Sequence, residues 1–295
     1  MTTLYDVLVV GGVGIDTIVR VPELPLAAAD SIHVPPITDY VAHTGNGVAQ
    51  GCQALGLRTK LIDFIGADPQ AELILARYRQ IGLDFSYLIH ESGTRRSVNL
   101  VDPQGRRLSL YDARHPDTLR LPRPFYLPLL TQSRHVHLSI MHWARELFAD
   151  IAPLPLTSST DLHDWDGVSP YHRDFALKAD LVFVSAAALG SRHGAVMQEI
   201  LQQGRAIVVV VMAGDRGAYW QERGMETIHH CPALDPGAPI IDTNGAGDAF
   251  VSGFLHGWLQ GNATHLCIRQ GALAGAFACT RAGTHEEFLE LAQLQ

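Results

Sequence analysis

The chain has 295 residues, 47% of them hydrophobic, which is enough to bury one large core or at most two small ones. A formal net charge of -8 gives it no electrostatic footprint for nucleic acid or for an anionic membrane surface. No apolar run approaches the roughly 18–20 residues needed to span a bilayer, and Met1–Tyr5 lacks the basic and apolar regions of a secretory leader, so a cytoplasmic protein is expected.

In chain order the reading is strand, helix, strand, helix. Asp6–Gly11 is a short apolar run ending in glycine, a buried first strand. Ile18–Tyr40 is long and proline-rich, with Val19–Val21 and His33–Ile37 as short strands. Asn46–Leu55 is a small-residue helix ended by Gly56; Thr59–Ile65 is a strand; Pro69–Ile81 has helical periodicity and stops at Gly82. Ser97–Leu110 reads as a hairpin turning at Pro103-Gln104-Gly105. Further strands are predicted at Arg134–Leu138, Thr157–Asp161, Leu181–Val184 and Ile207–Met212, and one ending at Ile241. Helices are predicted at His193–Gln203, Ala246–Gln260, Thr264–Thr280 and Glu286–Gln293.

This alternation predicts an α/β fold with an open, mostly parallel sheet and helices on both faces. The two excursions, about 17–40 and 95–112, predict a small second sheet over the end where ligands of open α/β sheets bind. That makes it a lid; two surface hairpins are the alternative. No repeat or linker divides the chain, so residues 1–295 are read as one domain with the lid inserted. An exposed lid edge is also a surface for pairing with a second copy. Cys52, Cys231, Cys267 and Cys279 form no CxxC pair and are read as free thiols, and none of the fifteen histidines sits in a metal-binding pattern. His135 and His137 share one face of their strand.

The most informative run is Asp242-Thr243-Asn244-Gly245-Ala246-Gly247-Asp248, between a predicted strand and a helix with an apolar stripe at Phe250, Phe254 and Trp258. Glycines there let the backbone approach a ligand. The free N–H groups and the dipole of the helix start make an anion hole suited to phosphate. Asp248, in the first helical turn, can simply favour the dipole; beside a bound phosphoryl group it is also placed to take a proton from an attacking hydroxyl.

The run resembles the Asp-Thr-x-Gly-Ala-Gly-Asp motif of the ribokinase-like (PfkB family) carbohydrate kinases, with all six specified positions matched. The resemblance extends over essentially the whole chain. It implies a three-layer sandwich with a β-sheet lid, ATP as phosphate donor, and Mg²⁺ arriving with it. It implies Asp248 as catalytic base, an anion hole of Gly245, Ala246 and Gly247, and Asp242 and Asn244 beside the nucleotide and its metal. A strand-end cap is the other reading of Asp242. Gly11–Asp16 is similar to the first strand of the family and the Asp beyond it, implying that Asp16 holds sugar hydroxyls. Leu61–Asp68 resembles a family strand and turn, Met212–Ala218 the nucleotide loop with Gly214 and Gly217, and Ala272–Gly283 the adenine-flanking helix and loop.

Three departures stand out. The N-terminal glycine motif is displaced: anchored on Leu55-Gly56, Gly47 takes the place of the usual Asn, with Gly45 and Asn46 kept as substrate-facing residues. The Asn-x-x-Glu motif is replaced by Val184–Leu189, without Asn or Glu, and Met212 stands for the usual Thr of the nucleotide loop. Asn99 on the lid is a candidate substrate contact. Arg95, Arg96, Arg106 and Arg107 either grip a substrate anion or are solvated edges. The function expected is an ATP-dependent kinase for a small ketohexose- or ribose-type sugar. The alternatives are a nucleoside kinase, with Tyr40 or Tyr111 stacking a base, and a non-catalytic sugar binder.

Overall fold

A computed structural model describes residues 3–294; Met1 and Thr2, at the start of the segment read for a leader, lie outside the described residues. β1 (Tyr5–Val10) is buried from Asp6 onward. β2 (Gly14–Arg20) and β3 (Thr38–Ala42) then pair antiparallel. α1 (Thr44–Ala54), β4 (Thr59–Ile65), α2 (Pro69–Ile81) and β5 (Asp84–Ile89) follow. The bounds of α2 obey local rules. The Asp68 side chain caps the Ala71 N–H at 2.9 Å, proline opens the helix, and Gly82 closes it in a left-handed conformation. β6 (Arg96–Val101) and β7 (Arg107–Asp112) make the predicted hairpin.

The second half runs α3 (Arg123–Leu130), β8 (Ser133–Leu138), α4 (Leu147–Ile151), β9 (Thr157–Asp161), α5 (Pro170–Lys178), β10 (Leu181–Ser185) and α6 (His193–Gln203). It ends with β11 (Val208–Met212), β12 (Ala218–Glu222), β13 (His229–Cys231), α7 (Ala246–Leu259) and α8 (Thr264–Cys279).

Nine strands form the main sheet in the order β13-β12-β11-β10-β9-β8-β1-β4-β5, parallel except at β12. The strand period of two sorts β1 between two cores. Leu8 and Val10 join one face with Val136 and Val182; Val7 and Val9 join the other with Val48 and Phe254. A separate sheet has the order β3-β2-β6-β7.

Three expectations need correction. The strands of the first excursion are β2 and β3, not Val19–Val21 and His33–Ile37. Between them Pro22, Pro25, Pro35 and Pro36 lack the N–H that a ladder uses. No strand ends at Ile241. Ile240 and Ile241 are exposed, and the N–H groups of Ile241 and Asp242 brace on the Cys279 carbonyl at 2.9 and 3.3 Å instead of on a neighbouring strand. Glu286–Gln293 holds only one 3₁₀ turn, Leu291–Gln293. Tertiary contacts override its periodicity: Leu289 packs with Ala249 and Ala274, and Phe288 stacks on His285.

Candidate active site

The Gly-rich run sits where α7 begins. Gly245 is left-handed at φ 75° and no side chain caps the helix, so its first N–H groups face outward without a side-chain acceptor. Asp242 Oδ1 accepts from the Asn244 N–H at 3.0 Å and shapes the turn. Its Oδ2 is buried with no hydrogen-bond partner among the described residues; the nearest cation is Arg20, 3.8 Å away. Asp248 is buried one residue after Gly247. Met212, at the end of β11, stands with its methyl 3.6 Å from where a Gly247 Cβ would be, bringing the loop of Gly214 and Gly217 beside the turn.

Asp248 has a partner that no local motif announces. His285 Nε2 lies 2.8 Å from Asp248 Oδ2. On the other side of the ring, Asn46 Nδ2 is 3.1 Å from His285 Nδ1. Asn46 is fully buried; its Nδ2 also donates to the Val41 carbonyl at 3.0 Å, and its Oδ1 accepts from Gln50 at 2.7 Å and Tyr78 at 2.8 Å. The expectation that Asn46 faces the substrate is therefore corrected: the first turn of α1 points it inward, between α2 and the C-terminal loop. Gly45 is likewise buried, its backbone against the Gly11 carbonyl. At Gly47 a Cβ would stand 2.3 Å from His285 Nε2 and 2.7 Å from the Asp248 Cβ. The histidine ring thus excludes any side chain at the position where the motif has Asn.

Asp16 lies on β2 of the small sheet. Its Oδ1 is 3.2 Å from His43 Nε2, which is also 3.2 Å from Ser97 Oγ. Burial pushes the Asp16 carboxyl up, but the His43 hydrogen bond and charge, with help from His285 and Ser97, bring it below the usual carboxylate range. In the parallel β2–β6 register Asp16 sits opposite Ser97 and Ile18 opposite Asn99. Asn99 therefore shares the buried face of Asp16, while Val98 and Leu100 turn outward. Its Oδ1 accepts from Ser109 at 2.5 Å.

The arginines of the hairpin divide. Arg95 is not a solvated edge: it is 1% exposed, pairs with Asp63, donates to the Val13 carbonyl at 3.0 Å, and lies over the Trp143 ring. Asp63 also accepts from the Val13 N–H at 2.8 Å. This buried pair ties β4 to the start of both excursions. Arg106 pairs with Asp102 within the turn. Arg107 reaches across to the transfer turn and donates to Asn244 Oδ1.

In the segment Val184–Leu189 that replaces the Asn-x-x-Glu motif, Ala187 and Ala188 are exposed. Asp161, at the end of β9, is a buried carboxylate that feels the charge of Asp248. Burial raises its carboxyl and the Asp248 charge raises it further, against the lowering effect of His163. Among the described residues no group of three His, Cys, Asp or Glu side chains forms a metal cage, and no helix is long and apolar enough to cross a membrane.

The family model of the pfkB family carbohydrate kinases matches residues 5–290. The chain belongs to the pfkB family of carbohydrate kinases. It is similar to an acarbose 7(IV)-phosphotransferase of Actinoplanes sp., 44% identical over all of this chain and 98% of that protein. Among solved structures it is similar to a microbiome-derived acarbose kinase, with a TM-score of 0.93 and 48% identity, covering 99% of this chain and 98% of that one. A putative ribokinase from Agrobacterium tumefaciens shares the fold, with a TM-score of 0.82 at 22% identity over 98% of this chain and 96% of that one. As a pfkB carbohydrate kinase with a nine-stranded sheet and a four-stranded second sheet, the chain has the ribokinase fold that its transfer motif implied.

Sequence reasoning missed His285, Asp161 and the role of His43. His43 lies two residues before Gly45, and an unusual backbone (φ 72°) marks it in the structure. His285 carries no signal in its neighbours, because the group it serves is 37 residues away.

Proposed function

We propose that this kinase transfers the γ-phosphate of ATP to a hydroxyl of acarbose or a closely similar multi-ring glycoside, in place of the small ketohexose- or ribose-type sugar expected from its motifs. The observation that carries the reading is the 44% identity, spread over the full chain, with an acarbose 7(IV)-phosphotransferase. The small sheet supports it: every residue of β7 is exposed, including Leu108, Leu110 and Tyr111, leaving an open apolar edge along which a multi-ring acceptor can extend.

In this mechanism Asp16 accepts hydrogen bonds from acceptor hydroxyls, its carboxylate held by His43. Asp248 removes the proton of the attacking hydroxyl. The new O–P bond forms as the bond from the γ-phosphorus to the β–γ bridging oxygen breaks, and ADP leaves with that oxygen. The N–H groups at the start of α7 stabilise charge on the transferring group. Asp242, whose Oδ2 accepts no hydrogen bond among the described residues, would hold the magnesium ion of the ATP complex, which would supply charge neutralisation for the phosphates. Gly214 and Gly217 border the nucleotide. The small sheet closes as a lid, excluding water from the phosphoryl group. Pairing of two copies through the exposed edge at β7, and a cytoplasmic location, belong to the same reading.

The test is coupled ADP release with ATP and magnesium over acarbose, maltose, fructose, ribose and adenosine. Acarbose is expected to give the highest kcat/KM, with phosphate on the product shown by mass spectrometry. A preference for ribose, fructose or adenosine overturns the acceptor and leaves the transfer chemistry standing. Light scattering reports the oligomer.

A further inference from the structure

We propose that His285 is a positioning residue for Asp248, and that Asn46 sets which of its ring nitrogens carries the hydrogen. The inference rests on Asp248 being the proton acceptor. The network leaves one arrangement. Asn46 Oδ1 is occupied by donors from Gln50 and Tyr78, so its amide nitrogen is what faces His285 Nδ1. An N–H directed at Nδ1 makes that nitrogen the acceptor. Nε2 then carries the hydrogen and donates to Asp248 Oδ2 at 2.8 Å. One carboxylate oxygen is thereby fixed, and the other is left for the acceptor hydroxyl.

The surroundings are built to hold this ring. Its side chain is 2% exposed. His285 sits at φ 63°, a left-handed conformation uncommon outside glycine. A Cβ at Gly245 would come within 2.7 Å of its Cδ2, and one at Gly47 within 2.3 Å of its Nε2. Phe288 stacks on the other side, ring centroids 6.0 Å apart. Two glycines, a strained backbone and a spent amide converge on one hydrogen bond to the carboxylate.

The experiment uses His285→Gly, since glycine adopts this backbone freely, assayed with the sugar that wild type phosphorylates best. The kcat is expected to fall about 100-fold, the scale of a misplaced reacting group, with the KM for ATP unchanged. Added imidazole should occupy the vacated site and restore much of the rate. A wild-type kcat in folded His285→Gly, or a loss that imidazole does not reverse, overturns the proposal.

A second measurement needs no acceptor: ¹⁵N-histidine NMR of wild type and Asp248→Asn. His285 is expected as the Nε2–H tautomer, with its Nε2 resonance moved by the Asp248 substitution. An Nδ1–H ring, or one indifferent to position 248, overturns the proposal even if a variant fails to fold. If wild type phosphorylates no sugar tested, the acceptor reading fails while this spectrum still decides the role of His285. A wild-type rate in Asp248→Asn would instead sink the proton-acceptor assignment itself.

Discussion

Arg107, on the outer strand of the small sheet, donates a hydrogen bond to Asn244 in the turn that precedes Asp248. The two residues are 137 positions apart, and their contact joins the small sheet directly to the turn before α7. Arg20 of the same sheet approaches Asp242 in that turn. The small sheet is therefore coupled to the transfer site through side chains at its end, as well as through the chain segments that carry it.

Loss of this link should slow turnover without unfolding the protein. Arg107→Ala is expected to lower kcat roughly tenfold, the effect of one hydrogen bond to a charged group at about 1.5 kcal/mol. Because Arg107 is exposed, the melting temperature should stay within about a degree of wild type. ADP release without acceptor should rise relative to transfer, since the proposed closure shields the phosphoryl group. Unchanged kcat in this variant would disconnect the contact from catalysis.

Asp248→Asn should cut turnover by about 10³-fold, within the 10²–10⁴ contribution usual for a positioned base. Nucleotide affinity, measured by calorimetry, should change little, because the anion-binding N–H groups belong to the backbone. A rate near that of wild type would remove Asp248 from the mechanism.

At the acceptor end, Asp16→Ala should raise the KM for the sugar about 10- to 100-fold, matching about 1.5–3 kcal/mol for hydrogen bonds to a charged group. The KM for ATP should not move. The depressed Asp16 carboxyl also predicts that acceptor affinity, steady above the usual carboxylate range, weakens only at a pH below that range. Acceptor KM measured as a function of pH, compared with that of Asp16→Asn, checks the sign.

The buried Asp63–Arg95 pair makes a stability prediction. Arg95→Met leaves a buried, uncompensated carboxylate and should cost about 3–5 kcal/mol in urea unfolding. Asp63→Asn added to it should recover part of that loss, because no charge then remains in the site. A single variant as stable as wild type would show that the pair does not organise the junction of the two sheets.

His135 and His137 predict how stability follows pH. Both are pushed down to about 3, mainly by burial. Their hydrogen-bond partners are hydroxyls, Thr157 and Ser159 for His135 and Ser159 for His137. The unfolded chain binds their protons near 6.5, so below that pH it holds more protons than the folded chain. Their contribution to stability is thus complete at pH 7.5. It falls with acidification by about 1.4 kcal/mol per pH unit for each histidine. His137→Asn should flatten the urea-midpoint slope between pH 6 and pH 5 by about one proton. An unchanged slope would show that His137 does not stay unprotonated in the fold.

What the sequence determined by itself was local. The strand–helix alternation, the cap and stop of α2, the hairpin of β6 and β7 and the glycine turn before Asp248 each depend on residues a few positions apart. Backbone hydrogen bonding, turn geometry and side-chain period act over that distance. Where the local signal was ambiguous, tertiary contact decided. Ile240 and Ile241 read as a strand end, but Ile241 braces on the end of α8, and Glu286–Gln293 reads as helical but keeps only one 3₁₀ turn, with Leu289 and Phe288 meeting different neighbours. Only the tertiary structure could join Asn46, Asp248 and His285, set Arg107 on Asn244, and turn Arg95 inward to Asp63. Each of those contacts connects segments tens to hundreds of positions apart. Their meeting depends on the order in which strands enter the sheet and on which face each helix covers, and neither is carried by the neighbours of the residues that touch.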